Sequence, residues 1–356
     1  MPRIVVWARR EFQRRGAASP YDSREVPSEI EPTDVLDRLP LRFLIGTTAT
    51  GKSELALELA PRLGAEIVAL DSMTVYRGLD VGTAKPSRAS REAVRHHLID
   101  VADPAEPYDL QRYLADVRRA LEEIERRGAV PLFVGGTGLY LAGLLRGLFS
   151  GPPSDPAIRA ELDERARVQG SAALHAELEV IDPPSASRIH PNDRRRIVRA
   201  LEVWLQTGKP LSGLQAQWGA DPTPRERRSA IVGLRIPTEE LDAGIRARTI
   251  AMLHAGWPDE AVRLADAGAM GRSAEQALGY DVAEALGRGL VAFEAAADAI
   301  ALRTRQFARR QRTWFRRFEV SWLDPRATDS LDRALDLFRA ATGTGSAGAQ
   351  EPRDPA

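Results

Sequence analysis

Gly46-Thr47-Thr48-Ala49-Thr50-Gly51-Lys52-Ser53 has the spacing of a P-loop. Its glycines let the backbone curl until consecutive N–H groups converge on an anion. Lys52 reaches the outer phosphate as a point charge, and the Ser53 hydroxyl can ligate Mg²⁺. The phosphate-binding set is therefore Gly46, Thr48, Ala49, Thr50, Gly51, Lys52 and Ser53, with Ser53 as the metal ligand. Further on stands Asp71, first residue of Asp71-Ser72-Met73-Thr74-Val75-Tyr76-Arg77-Gly78. A carboxylate there could be a general base, a Mg²⁺ ligand through water, or the cap of the turn that follows. Lys85, with Gly82 and Thr83, lies on the same loop and could add charge near the ligand. Gly135-Gly136-Thr137 offers the Thr137 hydroxyl.

Elements of one kind must bring these residues together. Residues 41–45 form a short apolar run read as a buried strand directly before the P-loop. Residues 54–63 follow as a helix, with Leu55, Leu59 and Leu63 at spacing four and Gly64 as its stop. Residues 66–70 are a second strand ending at Asp71. Residues 108–127 are a helix closed by Gly128, and 131–134 a third strand ending at Gly135. Strand and helix in alternation with short links predict an α/β fold, a P-loop NTPase-like parallel sheet flanked by helices. Ligands of such sheets bind beyond the carboxyl ends of the strands, so Asp71 and Thr137 arrive at the same edge as the P-loop.

The Ser/Pro/Gly cluster at 150–156 marks a boundary. The expected organisation is an N-terminal extension over 1–40, a first core segment over 41–150, a helical insertion over 151–225, core completion with arginine-rich helices over 226–325, and a C-terminal helix and tail over 326–356. The extension is Arg-rich, then acidic and proline-broken. It lacks the serine richness of a transit peptide and reads as disordered or as an early start. The Gly/Ala/Pro-rich tail from 343 reads as disordered. Residues 229–236 return a strand to the sheet, and 239–320 are helical.

The 356 residues carry 50 basic and 50 acidic side chains, so nucleic-acid binding has to come from local patches. The absence of cysteine excludes a disulfide scaffold, a thiolate nucleophile and a Cys-ligated zinc site. No apolar run approaches the length of a membrane span, which fits a cytoplasmic protein. Only three of the basic residues are lysines (Lys52, Lys85 and Lys209), which draws notice to Lys52. Two basic patches exist. Residues 188–199 hold five arginines against Asp193, and residues 303–317 hold seven and no acid. On a helix Arg305, Arg309, Arg312 and Arg316 share one face, while Phe307, Trp314 and Phe318 share another, read as the packing face. His96 and His97 are adjacent. On a helix they diverge by about 100° and make a poor metal pair.

The P-loop, the stretch from Asp71 to Pro86, Gly135-Gly-Thr-Gly-Leu-Tyr140, His190-Pro-Asn-Asp193 with Arg196-x-x-Arg199-Ala-Leu-Glu202, and Thr304-Arg-Gln-Phe-Ala-Arg-Arg-Gln311 with Thr313-Trp-Phe315 stand in this order. From about residue 41 to 323 the chain resembles the tRNA dimethylallyltransferase (tRNA isopentenyltransferase) family. The resemblance implies transfer of a dimethylallyl group from dimethylallyl diphosphate to N6 of adenosine 37 in tRNAs reading U-initial codons, with Mg²⁺. It also implies a monomer that grips the tRNA anticodon stem-loop. In that reading the P-loop holds the diphosphate, joined by Arg248. Asp71 is the base, Thr137 lies near the amine, and Lys52 stabilises the leaving group. Asp71, Ser72, Met73, Thr74, Arg159, Arg195, Arg196, Arg199, Arg305, Arg309 and Arg312 contact tRNA, the insertion acting as a clamp. The chain departs from the family pattern at Thr47, Thr50, Thr74, Gly244 and Asp281, with Arg246 the candidate replacement for an arginine at 244. The competing readings are a P-loop small-molecule kinase using ATP and an RNA-binding scaffold with a relic P-loop.

Overall fold

The computed structural model describes residues 34–147, 151–152, 154–215 and 221–340. The expectations for 1–33 and for the tail from 343 lie outside these residues. The first half of the core runs β1 (Arg42–Gly46), α1 (Lys52–Leu63), β2 (Ala65–Leu70), β3 (His96–His97), α2 (Leu110–Arg126), β4 (Val130–Gly135) and α3 (Gly138–Arg146). The insertion holds α4 (Pro156–Gln169), α5 (Ser171–Ile181) and α6 (Arg194–Thr207). The second half runs β5 (Ala230–Leu234), α7 (Thr238–His254), α8 (Trp257–Asp266), α9 (Tyr280–Gly287), α10 (Phe293–Phe315), β6 (Ser321–Leu323) and α11 (Ser330–Ala340).

The six strands form one parallel sheet in the order β3-β2-β4-β1-β5-β6. Every residue of β1 is buried, as expected of a central strand covered on both faces. Side chains alternate between two cores. Phe43 and Ile45 pack with Phe133, Tyr113, Val117 and Leu121 on one face, while Leu44 packs with Leu55, Leu59 and Phe338 on the other. Helix α2 buries Tyr113, Leu114, Val117, Leu121 and Ile124, a stripe at three-to-four spacing. Helix α1 ends at Gly64, whose φ is +61°.

One expectation needs correction and two places need adding to. The segment 34–40 is folded: Asp34 caps a helical turn at Val35–Arg38, Val35 and Leu36 are core residues, and Asp37 pairs with Arg225. His96 and His97 lie on an edge strand, where neighbouring side chains point to opposite faces. His97 meets Glu66 at 2.6 Å and His96 meets the Val94 carbonyl at 2.7 Å, so both are structural. Strand β6 follows the span expected to be helical and falls in the part assigned only to core completion; its three residues carry no legible alternation.

The described residues fall into two compact units, one within 147–221 and the other made of 34–146 with 222–340. The insertion unit is helical throughout its described elements, with its own core of Ile158, Leu162, Leu174, Leu178, Ile197 and Leu201.

Candidate active site

The P-loop leaves β1 and opens α1. Gly51 is the N-cap at φ +78°, a conformation in which a Cβ would be strained. Ala49 also has a positive φ of +62°, so the loop is held against its local preference, as functional loops often are. Thr47 and Thr50, the family departures, are buried and serve the loop itself: the Thr50 hydroxyl donates to the Thr47 carbonyl at 2.8 Å. The Lys52 ammonium also donates to that carbonyl and lies 3.5 Å from Thr50 Oγ1. Protein packed around Lys52 pulls its amine down to about 7; the nearby Arg248 adds to the fall and Asp71 opposes it. Arg248, on α7, is itself lowered by desolvation against the opposing pull of Asp71 and Glu54, and makes no ion pair among the described residues. Two cations without a counterion, crowded at the head of a helix, form a receptor for a polyanion. Ser53 is exposed on the first turn of α1.

The carbonyl of Leu70, last residue of β2, accepts from both Gly136 N and Thr137 N at 3.1 Å. That ties Thr137 beside Asp71. Strand β4 stands between β2 and β1, so Asp71 lies about 10 Å from the P-loop, two strand spacings along the sheet edge. Asp71 Oδ1 accepts from Met73 N at 2.8 Å and Thr74 N at 3.2 Å, so the cap reading is correct for that oxygen. Oδ2 accepts no hydrogen bond among the described residues. One oxygen fixes the carboxylate and the other can take a proton. The neighbouring phenols cannot share that role. Burial pushes Tyr113 and Tyr140 well above their ordinary values, and the two rings stack with centroids 3.9 Å apart. Ser72 and Met73 are half-buried, while Thr74 is buried with its hydroxyl unpartnered.

Lys85 does not add charge near a ligand. Its side chain is 2% exposed, and Nζ donates to Asp80 and Asp100 at 2.6 Å and to the Tyr76 carbonyl at 2.8 Å. The loop that it closes hangs on a residue that sequence reasoning missed. Buried Glu260 of α8 accepts from the backbone N–H groups of Asp80, Val81 and Gly82 (3.0, 2.9 and 3.2 Å) and from Tyr280 Oη at 2.7 Å. An acid on the otherwise apolar stripe Trp257, Ala261, Leu264 was the available signal. Gln311 was missed in the same way. Its stripe of Ala297, Ala301, Ala308 and Phe315 is the true packing face of α10, set by small residues that let α7 approach through Leu241 and Ile245. Of the face expected to pack, Phe318 is a core residue just beyond the helix end and half-buried Trp314 packs against the same core, while Phe307 is half-buried without joining it.

Ion pairing thins the basic patches. Arg159 and Arg199 both turn to Glu202, which is 0% exposed: Arg159 Nε lies 3.1 Å from both of its oxygens and Arg199 Nη1 2.7 Å from one. Their first task is to neutralise a buried carboxylate. Arg195 and Arg196 are exposed, the latter beside Asp193. Arg246, the candidate replacement for an arginine at 244, pairs with the exposed Glu294 and Asp298. Asp281 takes Arg303 at 2.7 Å. Arg305, Arg309 and Arg312 meet no carboxylate among the described residues; Arg312 Nη1 donates to Thr238 Oγ1 at 3.2 Å. Arg312 also borders a cavity of about 780 Å³ at the ends of β5 and β6, with Arg235, Arg316, Trp322 and Thr47 on its walls. Arg235 stacks over Trp322 at 4.7 Å.

Residues 74–318 match the IPP transferase family, and residues 39–103 match an isopentenyl transferase family. A tRNA dimethylallyltransferase of Syntrophobacter fumaroxidans is 45% identical over 82% of this chain and 86% of its own. One from Geobacter sulfurreducens is 43% identical over 84% and 96%. Among solved structures, the full-length tRNA isopentenylpyrophosphate transferase of Bacillus halodurans is similar at a TM-score of 0.60 and 34% identity, over 85% of this chain and 96% of that one. A eukaryotic dimethylallyltransferase acting on tRNA is similar at a TM-score of 0.65 and 26% identity, over 83% and 78%.

Proposed function

The chain belongs to the IPP transferase family, and from that premise we propose that it moves a dimethylallyl group from dimethylallyl diphosphate to N6 of adenosine 37 in tRNAs reading U-initial codons. The observation that carries the reading is a carboxylate with one free oxygen facing, across one strand, a helix head where Lys52 and Arg248 lack a counterion.

The chemistry needs this pairing. The exocyclic amine of adenine is a weak nucleophile because its lone pair is delocalised into the ring. As the new C–N bond forms, the amine proton must leave, and Asp71 Oδ2 is placed to take it. Thr137, fixed through the Leu70 carbonyl, offers a hydroxyl to orient the amine. As the allylic C–O bond breaks, negative charge grows on the departing diphosphate. The loop N–H groups from Ala49 to Ser53, with Lys52 and Arg248, hold that charge; Thr48 N–H, expected among these donors, is bonded to Gln311 Oε1 instead. Mg²⁺ fits a site of this kind: no cluster of three His, Cys, Asp or Glu exists among the described residues, but Mg²⁺ usually takes one or two protein oxygens and completes its shell with phosphate and water. The Ser53 hydroxyl would hold it, and the ion would neutralise diphosphate charge. The target base is extruded from its stack to reach the site.

The arginines without carboxylate partners, Arg305, Arg309 and Arg312, grip the phosphates of the anticodon stem-loop, and Arg195 and Arg196 present charge from the insertion unit. We infer from the family reading that the enzyme acts as a monomer in the cytoplasm; no helix among the described residues is long and apolar enough to cross a membrane. The kinase reading has no counterpart among these relatives and is set aside. Incubation with Mg²⁺, labelled dimethylallyl diphosphate and unmodified tRNA, followed by digestion, should yield N6-dimethylallyladenosine. Phosphate transfer from ATP to a small acceptor, with no prenylated nucleoside, would overturn the proposal.

A further inference from the structure

We propose that Gln311 limits the phosphate cradle to a diphosphate, making it a specificity-determining residue against triphosphates. This rests on the diphosphate reading of the P-loop. Gln311 Oε1 accepts from Thr48 N–H at 3.1 Å, and Gln311 Nε2 donates to the Gly136 carbonyl at 3.0 Å. The residue is 5% exposed. A Cβ at position 136 would lie 2.0 Å from Nε2, so Gly136 is the residue that admits the amide.

A P-loop holds a phosphate chain with successive N–H groups. Here the donors divide. Those from Ala49 to Ser53 lie toward the head of α1. Thr48 N–H lies at the strand end, and it is already spent on a side chain from α10. A third phosphate continuing toward that end meets the lone pairs of a carbonyl oxygen instead of a donor. The amide cannot turn over to help. With both ends hydrogen-bonded, a flip would set N–H₂ against N–H and C=O against C=O, leaving four buried groups unsatisfied. The acceptor therefore always faces the loop. An anion that ends before Thr48 is held by Lys52, Arg248 and the rest of the nest. A longer one has to displace a buried, doubly bonded side chain.

The test uses the full-length enzyme and two probes that lack any nucleobase, inorganic pyrophosphate and inorganic tripolyphosphate, as competitors of dimethylallyl diphosphate. In the wild type, pyrophosphate should inhibit more tightly by about tenfold or more, the worth of one charge-assisted hydrogen bond. Gln311→Met keeps the buried volume and removes the acceptor; Gln311→Ala removes both. Each should bring the two inhibition constants to within about threefold by improving tripolyphosphate, since Thr48 N–H is released. Gln311→Glu keeps an acceptor, adds charge, and should widen the preference. Thermal melts accompany each variant. A merely structural role would weaken both anions together and leave their ratio unmoved, which overturns the inference. If both anions bind the wild type equally, the inference also fails. If neither competes, the diphosphate cradle itself is wrong.

Discussion

The lowered amine of Lys52 makes binding of the donor substrate a proton-uptake reaction. With its pKa near 7, the free enzyme at pH 8 holds Lys52 about nine-tenths neutral. A diphosphate beside the amine supplies the counterion that desolvation withheld and restores the charged form. Binding at pH 8 should therefore take up about 0.9 proton, whereas at pH 6 Lys52 takes up almost none and the half-protonated terminal phosphate releases protons instead. The terminal phosphate titrates near pH 6 in the manner of a phosphate monoester, so at pH 8 it has no proton left to exchange. Affinity should weaken as pH rises, by about fifty-fold between pH 7 and 9 for a pKa of 7. Calorimetry of dimethylallyl diphosphate binding in two buffers of different ionisation heat reads the uptake directly. Lys52→Arg is the control: it stays charged and should show no uptake and a flat affinity over the same range. Zero uptake at pH 8 in the wild type, or equal uptake in Lys52→Arg, would refute the account of the site as two crowded cations awaiting an anion. The stability of the unliganded enzyme carries the same signature. The unfolded chain binds the extra proton between pH 7 and the ordinary lysine value, so the Lys52 contribution makes the fold more stable as pH rises through that window.

Asp71→Asn keeps the acceptor for Met73 N and Thr74 N but cannot take a proton, so kcat should fall about 10²–10⁴-fold with tRNA affinity unchanged; loss of tRNA binding with normal turnover at saturation would remove the base assignment. Replacing Arg309 and Arg312 by Gln should weaken tRNA binding and reduce the slope of log affinity against log salt by about 0.7–0.9 for each phosphate no longer neutralised, while an unchanged slope takes α10 out of the interface. Glu260→Gln leaves too few lone pairs for four donors and should cost about 1–3 kcal/mol, read as a lower midpoint in urea; a midpoint within error of the wild type would show that the loop at 80–82 does not hang on this carboxylate.

The parallel sheet was legible because its strands are buried on both faces and its punctuation is strong: glycine at 46, 64, 128 and 135 closes runs whose periods differ. Asp71, Thr137 and Lys52 were legible because strand ends deliver them to one edge. What stayed hidden depends on partners distant in sequence. Glu202 claims Arg159 from 43 residues away, and Glu260 reaches Asp80 across 180. An arginine that grips RNA and one that neutralises a buried acid look alike along the chain. Gln311 and Glu260 each broke an apolar helical stripe, a signal of a buried polar job that does not name the job.

The pairing of so many arginines has a consequence for how such an enzyme finds its target. A chain with a broad positive surface would linger on any polyanion it met, and the modest gain from the correct site would be swamped by the number of wrong ones. Here Asp281 holds Arg303, Glu202 holds Arg159 and Arg199, and Glu294 and Asp298 hold Arg246, which takes part of that indiscriminate pull away and leaves Arg305, Arg309 and Arg312 with no carboxylate among the described residues. Neutrality overall thus favours quick release from mismatched RNA and a short search.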